Sequence, residues 1–285
     1  MQNITIDLNT KENLFSIIKT LSSVNASNDT TFTFEYSCGN YIENNGYLLL
    51  SCFINQMRHD NPNKIVEILF NTDSDCKTIQ YASRIDFFKN LNIPFKENFK
   101  RKPNDGRFIE IMNLPPMYGF PHELESVFQD KFNFNQKDTR DLVDLIGEVI
   151  SNTKMHAETK LGSFLYCQKF KEYLEVIAVD SGVGVQNSFK KRYPNITNED
   201  AVKKAIVFGE GDGNGRGQGL YFVSEFMKRN NSEFLLISGD RNIEVKNGTV
   251  SVNSNEHWQG TFLRLKINVN LSTSLRTLYD EKGLS

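Results

Sequence analysis

The chain has no CxxC pair, no basic segment followed by an apolar one at its start, no long apolar run and no excess of one charge. Each absence removes a class of protein. Cys38, Cys52, Cys76 and Cys167 are scattered and have no histidine cluster beside them. A disulfide framework or a zinc site is therefore not expected, and reduced core thiols are. The longest apolar stretch, around Tyr47 to Ile54, falls far short of the roughly 18 residues that suggest a membrane span. Met1-Gln2-Asn3-Ile4-Thr5-Ile6-Asp7 carries no secretory signal. With 33 Lys and Arg against 35 Asp and Glu, the net charge is −2, which gives no global attraction to phosphate backbones. The expectation is a cytoplasmic protein with no membrane partner and no sign of a nucleic-acid partner, a local basic patch remaining open. No repeat of fixed period is visible.

What is present is enough to fold. The 285 residues include 22 Phe and 10 Tyr, and 39% are hydrophobic. That suits one large domain or two ordinary ones, and argues against a disordered chain or a coiled coil. Phe32 to Tyr36 and Lys64 to Phe70 read as strands, and Gly46 to Met57 as an apolar helix between them. A second helix is expected over Lys77 to Asn90 and a strand over Arg107 to Met112. Strand and helix alternate, as in a small α/β module. Pro115-Pro116 and Gly119-Phe120-Pro121 break the pattern, so the domain boundary is placed there: 1–114 and 115–285.

Beyond the boundary come a helical stretch from His122 to Lys131 and a long helix from about Asp138 to Glu158. Strands follow over Ser163 to Phe170 and Tyr173 to Val179, then a glycine-rich, charged region from Asp180 to Gly219. A helix from Leu220 to Lys228 precedes strands over Glu233 to Ser238 and Thr261 to Val269.

Three elements in this half can carry chemistry. On the long helix, Leu142, Leu145, Ile146, Val149 and Ile150 recur at helical spacing and form a buried stripe. Glu148 and Asn152, four residues apart, share a face at its edge. A carboxylate and an amide there could hold a divalent cation and take a proton from water. They could equally be a solvated pair on an amphipathic helix. Next, Leu174 to Val179 ends in Asp180-Ser181-Gly182-Val183-Gly184, where Asp180 could accept from an exocyclic amine and the glycines allow a flat ring to approach. A plain strand-ending turn uses the same residues. Last, the run from Gly209 to Gly219 leads straight into Leu220-Tyr221-Phe222-Val223. Backbone N–H groups at such a helix start suit phosphates. The run lacks the Lys-Ser or Lys-Thr of a P-loop.

Glu-x-x-x-Asn on a helix, Asp-x-Gly-x-Gly after a strand, Gly-x-Gly-x-Gly-Leu opening a helix and Gly260-Thr261 opening a late strand occur here in that order. The order resembles the ATP-binding domain shared by gyrase, the large ATP-dependent heat-shock chaperones, histidine kinases and MutL (the GHKL superfamily). The likeness spans roughly residues 120–270 and is nearest the anti-sigma-factor-kinase and histidine-kinase-like branch, where a helix like Asp200 to Ala205 sits in the lid.

The resemblance implies a Bergerat-type α/β sandwich, with helices on one face of a mixed sheet, that binds ATP and Mg2+. In it, Glu148 is the general base and Asn152 the magnesium ligand. Asp180 binds the adenine amino group with Thr261, and Gly182 and Gly184 shape the adenine pocket. Gly215, Gly217, Gly219 and Leu220 lie at the phosphates, and residues 185–214 form a lid with little core to hold it. His156 reads as a helix-end residue. Arg216 either adds charge near the phosphates or faces solvent.

Some features depart from the pattern. Pro121-His122-Glu123-Leu124 is similar to a phosphoacceptor His-Glu-Leu but lacks the long dimerisation hairpin, so His122 reads as a helix start. No second domain supplying a catalytic Lys is expected. The first half resembles STAS-like modules in strand–helix order, and Ser83 there is either a phosphorylation target or structural. The implied function is an ATP-binding protein that uses Mg-ATP binding and hydrolysis to switch its grip on a protein partner, with a homodimer admitted. The alternatives are a serine/threonine kinase of the anti-sigma type and a nucleotide sensor without turnover.

Overall fold

The computed structural model describes residues 4–7, 14–27, 31–36, 43–63, 65–70, 76–101, 106–115, 126, 128–129, 132, 134–155, 159–211 and 218–284. Among them, β1 (Ile4–Asp7), β2 (Thr31–Tyr36) and β3 (Ile65–Phe70) form a parallel sheet in that order. Parallel neighbours need long crossovers. These are α1 (Leu14–Ala26) and α2 (Asn44–Asp60). The sequence reading contains β2, α2 and β3 but not β1 or α1.

The helix expected over Lys77 to Asn90 is two helices, α3 (Lys77–Arg84) and α4 (Phe87–Asn90). Asp86 between them has φ +61, a left-handed conformation that Asp tolerates better than most residues. Instead of continuing a helix, the Ile85 carbonyl accepts from Ile111 N–H at 3.0 Å. The break turns Phe87 and Phe88 into the core.

The second sheet runs β4 (Phe108–Leu114), β5 (Ser163–Lys169), β6 (Tyr173–Asp180), β8 (Thr249–Asn268) and β7 (Glu233–Lys246). Every neighbouring pair in it is antiparallel, which corrects the expected mixed sheet. β5–β6 and β7–β8 are hairpins, and hairpins pair antiparallel. β4 lies before the expected boundary at 115 yet pairs with β5, so this sheet draws on both halves of the sequence. β7 and β8 also run much further than expected, across 239–260. Asn247 and Gly248, at φ +50 and +73, make the tight turn that such a hairpin favours.

The second half includes, among the described residues, the helices α5 (Gln136–Met155), α6 (Gly184–Lys190), α7 (Asn198–Lys204), α8 (Gly219–Arg229) and α9 (Leu275–Asp280). They cover one face of the antiparallel sheet, sharing a core with Leu165, Val176, Ala178, Leu236 and Leu263. The alternate residues Phe164, Ile177, Val179, Leu235, Ile237 and Phe262 point to the other face, into a core with α1, α2, α3 and α4. The expectation of helices on one face is therefore corrected: both faces are covered. α2 lies between the two sheets, touching β3 on one side and β5 and β6 on the other. This accounts for the burial of Tyr47, Leu48, Leu49, Leu50, Ser51 and Cys52 in succession.

The helical stretch expected over 122–131 falls largely outside the described residues, as does His122. Cys52 and Cys167 are free and buried, but Cys76 is disulfide-bonded, which corrects the expectation of reduced thiols at that position. No helix among the described residues is long and apolar enough to cross a membrane.

Candidate functional site

Asp180 closes β6, opposite Thr261 of β8 and Ser163 of β5. Its side chain is completely buried. Oδ1 accepts from Gly182 N–H at 2.9 Å and from Thr261 N–H at 3.2 Å, while Oδ2 is buried with no hydrogen-bond partner. Burial pushes the carboxyl up to about 7, against the pull of the Gly182 and Thr261 N–H groups and the Thr261 side chain. An oxygen left unpaired in the interior is costly. A donor arriving there would satisfy it.

The glycines at 184 and 260, beside Asp180, are required by geometry. Gly184 has φ +74, and a Cβ there would come within 2.8 Å of Ser238 Oγ. Gly260 has φ +95, and a Cβ would stand 2.3 Å from the Asp180 carbonyl oxygen. Ser238, absent from the sequence reading, ties the region together. It accepts from Val185 N–H at 2.9 Å and donates to the Gly260 carbonyl at 2.8 Å.

The second cluster lies on α5, which packs across β6. The expected stripe of Leu142, Leu145, Ile146, Val149 and Ile150 is buried. At its edge, Glu148 and Asn152 meet the first residue of α8: a Cβ on Gly219 would be 2.4 Å from Glu148 Oε2 and 3.3 Å from Asn152 Nδ2. A side chain at 219 would thus have to push the Glu148 carboxylate aside. Leu220 is half-buried against the same core. Asn152 Nδ2 donates to the Glu148 carbonyl at 2.7 Å, which leaves the amide oxygen as its ligand atom. Burial raises the Glu148 carboxyl above its ordinary range, and the Tyr279 hydroxyl, 3.5 Å from Oε1, opposes this. Tyr279 of α9, itself pushed up to about 12 by burial and the nearby Glu148, packs at a tilt against Phe222 of α8 with ring centroids 4.2 Å apart. No local pattern marks Tyr279, because its contact exists only once α9 docks.

Of the residues singled out in the sequence, Asp180, Gly182, Gly184 and Thr261 come together in one cluster, and Glu148, Asn152 and Gly219 in the other. Gly215, Gly217, Arg216 and His156 lie outside the described residues. The lid expectation needs correcting over most of its length. Val185, Phe189, Ala201, Val202 and Ala205 are all buried in the second core, and Thr197 caps α7 by accepting from Asp200 N–H at 3.0 Å. A groove of about 900 Å³ lined by Gly184, Asn198, Asp200, Arg241 and Gly260 runs beside α6 and α7; Glu148 and Asn152 are not part of it.

No family model matches the chain. No curated protein matches it either. Among the described residues, no group of three or more His, Cys, Asp or Glu side chains could hold a metal ion.

Proposed function

We propose that the chain binds ATP with magnesium between the Asp180 turn and the Glu148–Asn152 face, and hydrolyses it to switch its interaction with a protein partner. The reading treats the second half as a member of the GHKL superfamily, in its anti-sigma-factor-kinase-like and histidine-kinase-like branch. The observation that carries it is Asp180 Oδ2, a fully buried carboxylate oxygen without a partner. Its companion oxygen is fixed by two backbone N–H groups, so the free oxygen is pre-set to accept from an amine such as the one adenine carries. Guanine offers a carbonyl in that place and would leave the oxygen unpaired.

The other cluster supplies groups for the phosphate end. Asn152 would hold magnesium through its amide oxygen, a hard donor suited to that ion. When bound, the metal neutralises phosphate charge. Glu148, raised by burial, is a stronger base than an exposed carboxylate and would take the proton of an attacking water. That role favours turnover over a sensor that only binds. Gly219 brings the start of α8, the end of a helix that suits anions, against the same pair.

Calorimetric titration of the full chain with ATP and GTP in the presence of magnesium tests the reading. Binding of ATP in preference to GTP, lost in Asp180→Asn, is expected, together with release of free phosphate. Equal affinity for both nucleotides, or for neither, would sink it. A phosphorylated partner as the product would replace hydrolysis with kinase activity.

A further inference from the structure

A chain of hydrogen bonds crosses from the first half of the protein into the Asp180 turn. Cys52, Gln56 and Asp60 lie four residues apart along α2 and share a face. Gln56 Nε2 donates to Asp60 Oδ2, and His59 Nδ1 lies 3.0 Å from Asp60 Oδ1. A carboxylate can only accept, so Asp60 fixes the amide, with the nitrogen toward itself and Oε1 toward the turn. The Ser181 hydroxyl donates to that Oε1 at 2.5 Å. Burial holds the Cys52 thiol protonated.

Ser181 stands between Asp180 and Gly182, the two residues whose mutual hydrogen bond shapes the turn. Its backbone angles set where Gly182 N–H points and so how Asp180 is held. The glycines at 182 and 184 have no side chains with which to restrain the turn. An open cleft of about 490 Å³, bordered by His59, Asp60, Lys160, Gly182 and His257, leaves the turn without a packed wall on that side. The tether to α2 therefore holds the turn where the cleft opens, in addition to Ser238 and the close-packed Gly260 backbone. We propose that Gln56 is a positioning residue for the Asp180 turn, so that α2 of the first half sets the geometry, and with it the base selectivity, of the nucleotide site. The selectivity part rests on the adenine-site reading above.

The test uses the full chain with two variants. Gln56→Leu removes both polar ends, and Asp60→Asn keeps the shape but releases the amide to turn over. Backbone hydrogen exchange at Gly182 to Val185 in nucleotide-free protein is expected to speed up about 5- to 20-fold in both variants. Exchange in the interior of β6, Leu174 to Ala178, should stay as in the wild type. In titrations, Gln56→Leu should lower the preference for ATP over GTP by a similar factor and add nothing further in an Asp180→Asn background. Unchanged exchange at Gly182 to Val185 in both variants overturns the inference. So does a rise spread equally over β6, which signals general loss of stability, or an unaltered ATP preference in a variant whose turn has loosened. Faster exchange confined to the turn in a protein that binds no ATP at all supports Gln56 as its tether and counts against the adenine site alone.

Discussion

The two faces of the antiparallel sheet are buried by different parts of the chain. One face lies under α5 to α9 of the second half, and the residues given chemical roles sit along it or at its end. The other lies under α1 to α4 of the first half, and one polar cluster there is spent on its own members. There Asn44 Nδ2 donates to Glu175 Oε2 at 2.9 Å and to Gln168 Oε1 at 2.8 Å. The Tyr81 hydroxyl donates to Asn44 Oδ1 at 2.8 Å and lies 2.7 Å from the Tyr166 hydroxyl. Burial raises the Glu175 carboxyl, and Asn44 opposes the rise. A satisfied polar cluster in a core fixes how two layers register rather than leaving an open valence. The contrast with Asp180 Oδ2 teaches how to tell a supporting carboxylate from a receptive one: both are buried, and only the second lacks a donor.

The largest effect that could break this comparison comes from removing the supporting face. A fragment of residues 115–285 lacks β4 and exposes Phe164, Ile177, Val179, Leu235, Ile237 and Phe262. At about 1.5–3 kcal/mol for each large apolar side chain, the loss is about 9–18 kcal/mol, as large as the whole of a typical stability of about 5–15 kcal/mol. The fragment is expected to be insoluble or molten. A sharp, dispersed NMR spectrum from it would show that the second half stands alone.

Glu148→Ala comes next and tests whether the chemical face can be altered without touching the fold. Phosphate release should fall by about 10²–10⁴-fold, with Mg-ATP binding and thermal midpoint nearly unchanged. Equal losses of affinity and turnover would mean that Glu148 binds rather than reacts.

Asn44→Leu probes the supporting face in the same way. It leaves Glu175 without its side-chain donor, so unfolding free energy should drop by about 1–3 kcal/mol in denaturant titration. Phosphate release per folded molecule should hold steady. A turnover defect at full stability would erase the distinction between the faces.

The smallest effect is one of pH. Asp180, pushed up to about 7, must ionise to accept from an amine, so ATP affinity should rise about tenfold from pH 6 to pH 8 and then level off. In the nucleotide-free protein the sign is opposite. The native state binds a proton at Asp180 that the unfolded chain gives up near pH 4, so this group's contribution to stability is full below about pH 4 and fades as pH rises through about 7. Asp180→Asn should flatten both trends.

The sequence made much of the helical face legible, because local patterns carry it. The stripe on α5 is periodic, and the glycine at 184 stands where a side chain would be strained. The order of the motifs named the residues that cluster with Asp180. The other face was harder. Phe164, Leu165, Tyr166 and Cys167 form an unbroken apolar run, which is the mark of a strand covered on both sides, but the run does not say what covers it. β4 looked like part of the first half because pairing partners distant in sequence leave no local trace. Asn247-Gly248 between alternating residues was a readable hairpin signal that the strand limits expected at Ser238 and Thr261 did not use. Ser238, Tyr279 and Gln56 reach the site through tertiary contacts alone.

The strand order has a consequence for synthesis on the ribosome. α1 ends at Ala26 and packs on β8, which begins at Thr249. At roughly 5–20 residues per second, the helix waits roughly 10–45 s for its partner strand to emerge. During that interval Leu14, Ile17, Ile18 and Leu21, all buried in the finished protein, have no β8 to cover them. The nascent chain therefore carries this unmet apolar surface from the synthesis of α1 until β8 has emerged, and a chaperone that shields apolar helices during synthesis should raise its yield more than one that acts on the completed protein.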